Sequence, residues 1–319
     1  MTGQTPQIAP LTTGEVAEAA RILADHVVAS PLIPFGDPGA GILLKPETLQ
    51  PGGCFKIRGV FHAVSRLTAE ERARGLTTVS AGNTAKALAL AGRHFGVPAR
   101  SLMPKSAPAP KIEAMRAYGG TPELVEVDAL FDYLKSHGWE REDTAFIHPW
   151  TNRDVMLGHG TMGAEILADC PGVETVFLPV GGGGLLGGVA GAIRAARPDV
   201  RIVAVEPEGC AAFAASRTAG HAVAAPCETI CDGVAVPYMT DEVFAVINPL
   251  VDDVCLVSED ETRAAIRALA HKAHIVAEGS GALALAAAVK IPEAQRGLSV
   301  APVTGGSIDH ALLAQILSG

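Results

Sequence analysis

Residues 178–188 read LPVGGGGLLGG. An apolar run, TVFLPV (175–180), ends in four consecutive glycines, and a small-residue helical pattern, LLGGVAGAIRAARP (185–198), follows. Glycines carry no Cβ, so several backbone N–H groups can converge on one anion at a helix N-terminus, where the dipole also favours negative charge. Three readings compete. Gly182, Gly184 and Gly187 satisfy a G-x-G-x-x-G spacing, and the next strand, RIVAVEP (201–207), delivers Glu206 where a dinucleotide fold needs an acid near the ribose. The glycines could instead serve only close helix–strand packing. In the third reading they form a cup for a single phosphate, which four adjacent glycines suit better than a spaced fingerprint does. The loop alone leaves all three open.

Outward from the loop, β-type runs alternate with helical patterns. GILLKPE (41–47), TTVS (77–80), ARSLMP (99–104) and TPELVEV (121–127) read as strands. KIRGVFHAVSRL (56–67), TAKALALAGRHFG (84–96), APKIEAMRAYG (109–119) and ALFDYLKSHG (129–138) read as helices. This alternation predicts parallel sheets with helices on both faces, an α/β fold. The stretch 75–150 carries its own βα units, so it is expected to be a small α/β domain inserted into a larger one formed by 1–74 and 151–319.

Among 319 residues, 48% are hydrophobic and 18% charged, which predicts a substantial core. A formal net charge of −9 argues against nucleic acid or an anionic membrane surface as the main partner. No signal-peptide pattern opens the chain and no apolar run is long enough to span a bilayer, so a cytoplasmic location is expected. The six cysteines follow neither a disulfide nor a zinc pattern and read as reduced thiols.

Lys56 breaks local rules. In GGCFKIRG (52–59) it stands in the first turn of a helix and heads an apolar stripe of Val60, Ala63 and Leu67. The helix dipole, nearby Arg58 and partial burial would all push its ammonium toward the neutral amine. That is the condition for a Schiff-base nucleophile near neutral pH. The competing reading is a lysine whose stem lines the core while its head reaches solvent.

GGCFKIRG, SAGNTAKALA (80–89), VGGGGLLGG (180–188), ICDGVAV (230–236), AEGSGALA (277–284) and VTGGSID (303–309) occur in the order found in the fold-type II pyridoxal-phosphate enzymes, of the tryptophan synthase β type. More narrowly, the chain resembles the serine/threonine dehydratase and serine racemase branch, over about residues 40–310. The resemblance implies two doubly wound domains with pyridoxal 5'-phosphate between them. It implies that Lys56 holds the cofactor as a Schiff base and that Gly181, Gly182, Gly183, Gly184 and Leu185 cup its phosphate. It further implies that Asn83 bonds the 3-oxygen, Gly233 lies along the ring and Thr304 faces the pyridine nitrogen. Ser80, Gly82, Asn83 and Thr84 would hold the substrate carboxylate. A homodimer is implied on the same ground. The implied reaction is α,β-elimination from a β-hydroxy amino acid of the threonine or serine type, giving a 2-oxo acid and ammonia. A β-replacement synthase and an amino-acid racemase of the same fold are the alternatives. A hydroxyl at the pyridine nitrogen makes the ring a weaker electron sink than a carboxylate would, which favours prompt loss of a leaving group.

Several positions depart from the branch. Ala81 stands where similar racemases have a serine, and a methyl group cannot reprotonate Cα. Thr84, Cys54 and Ser307 replace more usual residues. Trp150 in HPWTNRD (148–154) is expected either to wall the substrate pocket or to pack between domains. Glu206, Cys210 and Ala212 occupy the positions at which relatives bind a divalent cation. A single carboxylate is thin support for such an ion, so no metal is expected. The chain ends soon after VTGGSID, which leaves no appended regulatory domain expected.

Overall fold

The computed structural model describes residues 8–319 apart from Pro38 and Pro108. Among the described residues, ten strands form two sheets. The larger has the order β1 (Ile33–Phe35), β2 (Ile42–Pro46), β10 (Ser299–Val303), β7 (Thr175–Pro179), β8 (Arg201–Pro207) and β9 (Asp253–Val257). The smaller has the order β5 (Thr121–Val125), β4 (Ala99–Pro104), β3 (Leu76–Val79) and β6 (Ala145–Phe146). Pairing is parallel throughout except between β1 and β2, where Pro34 lies opposite Leu43 in an antiparallel hairpin.

Burial explains the sequence of the central strands. Every residue of β7 and β10 is buried, as the interior of a parallel sheet covered on both faces requires, and neither strand alternates polar with apolar. β5, at the edge of the small sheet, has no buried residue. Helices cover the large sheet on one face through Leu186, Val189 and Ile193, and on the other through Leu283, Ala284 and Ala287.

The chain leaves β2, enters the helix Lys56–Arg66 and makes all four strands of the small sheet before returning at β7. Lys56–Arg66 is anchored by a buried ionic cluster. Arg58 Nε lies 2.7 Å from Glu47 Oε2, and its Nη1 lies 2.6 Å from Glu165 Oε1 on the helix Arg153–Asp169. Lys45 of β2 reaches the other oxygen of Glu165 at 2.7 Å. Arg58, Lys45 and Glu47 are fully buried, so the position of the helix is fixed by charges that cannot find water elsewhere.

Candidate active site

The site gathers at the C-terminal ends of parallel strands, where α/β sheets hold ligands. Ser80 follows β3, the glycine loop follows β7 and Thr304 follows β10. The segment leading into Lys56 is stitched to the one after β10. Phe55 N–H donates to Thr304 C=O (3.1 Å), Gly306 N–H donates to Gly53 C=O (3.0 Å), and Cys54 bridges Gly305. These bonds place the first residue of the helix, Lys56, beside Thr304.

Lys56 Nζ sits 4.9 Å from the centre of the Phe55 ring. Burial lowers its pKa, while charge on Cys54 or Glu278 would raise it. The Cys54 thiol is pushed up to about 12 by burial, so it is neutral at ordinary pH and leaves Glu278 as the effective counter-charge. Arg58 does not contribute as the sequence suggested. Its guanidinium is turned into the ion pairs with Glu47 and Glu165, so desolvation alone drives Lys56 toward the free amine.

The tetraglycine loop is packed from outside. A Cβ on Gly182 would lie 2.5 Å from the Trp150 ring, and one on Gly183 would lie 2.5 Å from Val243. Gly183 also has φ +87°, which L residues rarely adopt. Gly183 caps the helix Gly184–Ala196 without a side-chain hydrogen bond. The helix Asn83–Phe95 is likewise capped by Gly82 with no side-chain bond. Elsewhere Thr12, Thr68, Asn152, Thr240, Ser258 and Asp309 cap helices with their side chains. Lys56–Arg66 and Gly279–Lys290 also begin at the site without a side-chain cap, as Val127–Lys135 does away from it; at the site the N-termini of Gly184–Ala196 and Asn83–Phe95 keep N–H groups for an outside acceptor.

Between them lies a wall built on the helix Gly279–Lys290, and Glu278 at its N-cap is the residue the sequence reading missed. Its Oε1 accepts from Asn83 Nδ2 (2.8 Å) and its Oε2 from Ser307 N–H (3.1 Å). Burial, reinforced by Asp232, raises its pKa to about 7 against the pull of Lys86 and those two hydrogen bonds. Lys86 Nζ donates to Ser307 Oγ and to Gly52 C=O, tying the small-sheet side to the large. Lys111 pairs with Asp232 across the same divide. The signal in the sequence was a lone carboxylate before an otherwise apolar, small-residue helix, EGSGALALAAAV (278–289).

The remaining assigned residues fall as follows. Thr304 is buried and its Oγ1 donates to Ser280 C=O (3.2 Å). Gly233 faces that wall, since a Cβ there would lie 2.8 Å from Ser280 Oγ and 3.4 Å from Glu278 Oε1. Ser80 Oγ accepts from Gly82 N–H (3.1 Å), and Thr84 and Leu185 are buried. Trp150 lies against Gly182 and Gly184 of the loop and edge-on to His148. It therefore backs the anion cup. Glu206 is not free for a ribose or a cation. Its two oxygens accept from Phe213 and Ala214 N–H (2.8 Å each) and cap the helix Ala212–Ala219.

A flat ring with one phosphate fits these features. The loop and the uncapped helix supply N–H groups, Lys56 supplies a desolvated amine, and Asn83 supplies an amide. Cβ atoms at Gly233 and Gly305 would collide with the wall, the latter at 2.5 Å from Glu278 Oε1. Buried Ser280 Oγ has no hydrogen-bond partner. A dinucleotide finds no acid for its ribose.

Comparison with known proteins agrees. The family model described as pyridoxal-phosphate dependent enzyme matches residues 23–305. The chain is 37% identical over 284 residues to an L-threonine ammonia-lyase of Thermotoga maritima, covering 88% of this chain and 70% of the relative. It is 37% identical over 281 residues to the catabolic L-threonine dehydratase TdcB of Escherichia coli K12, covering 86% and 85%. The structure of maize serine racemase superposes with a TM-score of 0.89 at 31% identity, covering 97% of this chain and 98% of that one. With these matches and this geometry, the chain is a fold-type II protein and belongs to the pyridoxal-phosphate-dependent enzyme family.

Proposed function

We propose that this chain is a lyase that eliminates water from a β-hydroxy amino acid of the threonine or serine type; the released enamine tautomerises to an imine and takes up water again, giving a 2-oxo acid and ammonia. The observation that carries the reading is Lys56, an amine desolvated at the meeting point of two helix N-termini without side-chain caps. When bound, pyridoxal phosphate supplies an electron sink conjugated to the substrate Cα.

The chain's own residues do the rest. Lys56 Nζ, pushed toward the free amine by burial, takes the proton from Cα. The substrate carboxylate is oriented by the N-terminus of Asn83–Phe95 with Ser80 and Thr84, whose N–H and hydroxyl groups suit an anion. Asn83 is held in one orientation by its bond to Glu278. Ala81, packed against the cluster of Ala85, Ala89, Met103 and Met115, offers no proton to Cα, which supports elimination over racemisation. Residues 75–150 make a small α/β domain inserted into a larger one formed by the flanks.

The reading extends to a cytoplasmic homodimer. It is supported by six free cysteines and by exposed Leu49 and Val276 beside a cavity of about 350 Å³. Among the described residues, no helix is long and apolar enough to cross a membrane.

The test is incubation of the cofactor-loaded protein with L-threonine, L-serine and L-threo-phenylserine, followed by assay of 2-oxo acid and chiral analysis of recovered substrate. Formation of 2-oxo acid from one of them with unchanged chirality of the remainder is expected. Racemised substrate without 2-oxo acid, or a thioether as the main product when a thiol is present, would overturn the assignment.

A further inference from the structure

The six cysteines are not equally placed. Cys54, Cys170, Cys210 and Cys231 are buried, while Cys227 and Cys255 are half-buried and within reach of a solute. Cys255 faces Lys290 and Glu261. Cys231 is packed into the apolar core, and its N–H donates to Thr229 Oγ1 (3.1 Å). Cys227 instead faces a second thiol, that of Cys210, within hydrogen-bonding reach. Cys210 follows β8, and Cys227 lies in the segment after the helix Ala212–Ala219. The residues beside them are in backbone contact. Glu228 N–H donates to Gly209 C=O (2.9 Å), and a Cβ on Gly209 would lie 2.1 Å from the Glu228 carbonyl oxygen. The two backbones are thus already held together beside the thiols, as a disulfide requires.

The pair is also joined to the segment that lies on the glycine loop. Cys210 Sγ–H donates to Val236 C=O (3.7 Å) and to Val234 C=O (4.0 Å). Val234 in turn packs on the loop, since a Cβ on Gly181 would lie 2.8 Å from Val234 Cα. One thiol proton therefore helps to hold 234–236 against the loop. The two thiols differ in reactivity, which belongs to the thiolate. Burial, with the neighbouring Cys227, pushes Cys210 up to about 12, so it is protected from direct attack. Half-buried Cys227 is the sulfur that a solute meets first.

We propose that Cys210 and Cys227 form a reversible disulfide, driven by a low-molecular-weight disulfide, and that its formation loosens 234–236 from the glycine loop and weakens cofactor binding. The Cys227 thiolate attacks one sulfur of the small disulfide, the S–S bond of that molecule breaks, and one small thiolate leaves. Cys210 then attacks the Cys227 sulfur of the mixed disulfide, giving its proton to the second small thiolate as that group departs. The protein pair is oxidised by two electrons, and the small disulfide is reduced to two thiols. Cys210 no longer has a proton, so its hydrogen bonds to Val234 and Val236 are lost. The effect on the cofactor rests on the site described above; the disulfide itself does not.

The experiment incubates reduced full-length wild type, Cys227→Ser and Cys255→Ser with glutathione disulfide, blocks the remaining thiols by alkylation and maps the peptides by mass spectrometry. Cleavage after Arg217 and Glu228 separates Cys227 from Cys210 and from Cys231. Wild type and Cys255→Ser are expected to give a peptide linked through Cys210 and Cys227, which dithiothreitol releases; Cys227→Ser gives none. Cofactor affinity, titrated through the visible band, should fall roughly twofold to fivefold on oxidation of wild type, the size of a lost S–H···O contact, and recover on reduction. In Cys227→Ser the same oxidant should leave the affinity unchanged, which separates the pair from the other thiols. Alkylation of both Cys210 and Cys227, a glutathione adduct that stays on Cys227, or linkage of other cysteines overturns the disulfide. A linked peptide with unchanged affinity overturns its coupling to the glycine loop. Wild type that takes up no cofactor in either state removes the cofactor reading, while the peptide map still decides the disulfide.

Discussion

Replacing Glu278 by glutamine is expected to remove a pH-dependent penalty on the folded protein. The carboxyl's ordinary pKa of 4.5 is raised to about 7 by burial and by Asp232, with Lys86, Asn83 and Ser307 opposing. Lys56 faces the same group. Because the folded value is raised, this carboxyl's contribution to stability is whole below the unfolded pKa and is lost as pH rises through about 7. One pKa unit corresponds to about 1.4 kcal/mol, so the full loss is roughly 3 kcal/mol, most of it falling between about pH 5 and pH 8. Glutamine does not titrate. Its oxygen can still accept from Asn83, but its NH2 group would face the Ser307 N–H, a pH-independent cost of about 1 kcal/mol. The variant should therefore be the less stable protein in mild acid and the more stable one in mild base. The assay is urea unfolding of the cofactor-free proteins at both pH values. A difference between wild type and variant that stays constant within about 0.5 kcal/mol across that range would refute the reasoning, because it would mean the buried carboxyl does not titrate there.

Lys56→Ala should abolish the visible band of the lysine-bound cofactor and lower the rate of 2-oxo acid formation at least about a hundredfold, since the proton acceptor is gone. Arg58→Ala should destabilise the fold by about 3–5 kcal/mol in denaturant titration by leaving buried Glu47 without its counter-charge, and Arg58→Met with Glu47→Gln should recover much of that loss. Gly183→Ala should weaken cofactor binding at least about tenfold, because φ +87° is strained for alanine by about 1–3 kcal/mol and the added methyl meets Val243. Titration of the visible band measures it.

Legibility in the sequence followed the range of the interaction. The helices and strands named from 41–47 to 201–207 are local patterns, and each has its counterpart among the observed elements. Lys56 and the glycine loop could be found because each breaks a local rule within a few residues. The antiparallel β1 could not, since three residues carry no period. Glu278 escaped for a different reason. Its meaning lies in a bond to Asn83, 195 residues away, and no pattern in AEGSGALA announces that partner. Arg58 was misjudged likewise: next to Lys56 in sequence it looks like a repelling neighbour, yet Glu47 and Glu165 draw it to the other side. Trp150 and Glu206 were ambiguous because packing and ligand binding ask for the same residue types there.

The uncapped helices tie stability to function. Among the described residues, six helices carry side-chain caps, so the sequence has the means to satisfy its N-termini. The cap of Asn83–Phe95 is instead Gly82, and a Cβ built there meets nothing within 4 Å. Space therefore does not exclude a capping side chain; a substrate carboxylate held there, as proposed above, would, because both would compete for the same N–H groups. Gly82→Asp places a carboxylate on that N-terminus permanently. It should leave the cofactor-free protein at least as stable as wild type, through the favourable charge at the helix end. It should also raise KM for the amino-acid substrate by about tenfold or more, since a fixed anion repels and displaces the incoming one. If KM is unchanged while stability rises, the carboxylate is held elsewhere and the glycine has another cause. If stability falls instead, the N–H groups of this helix are already satisfied within the protein, and the trade-off does not exist.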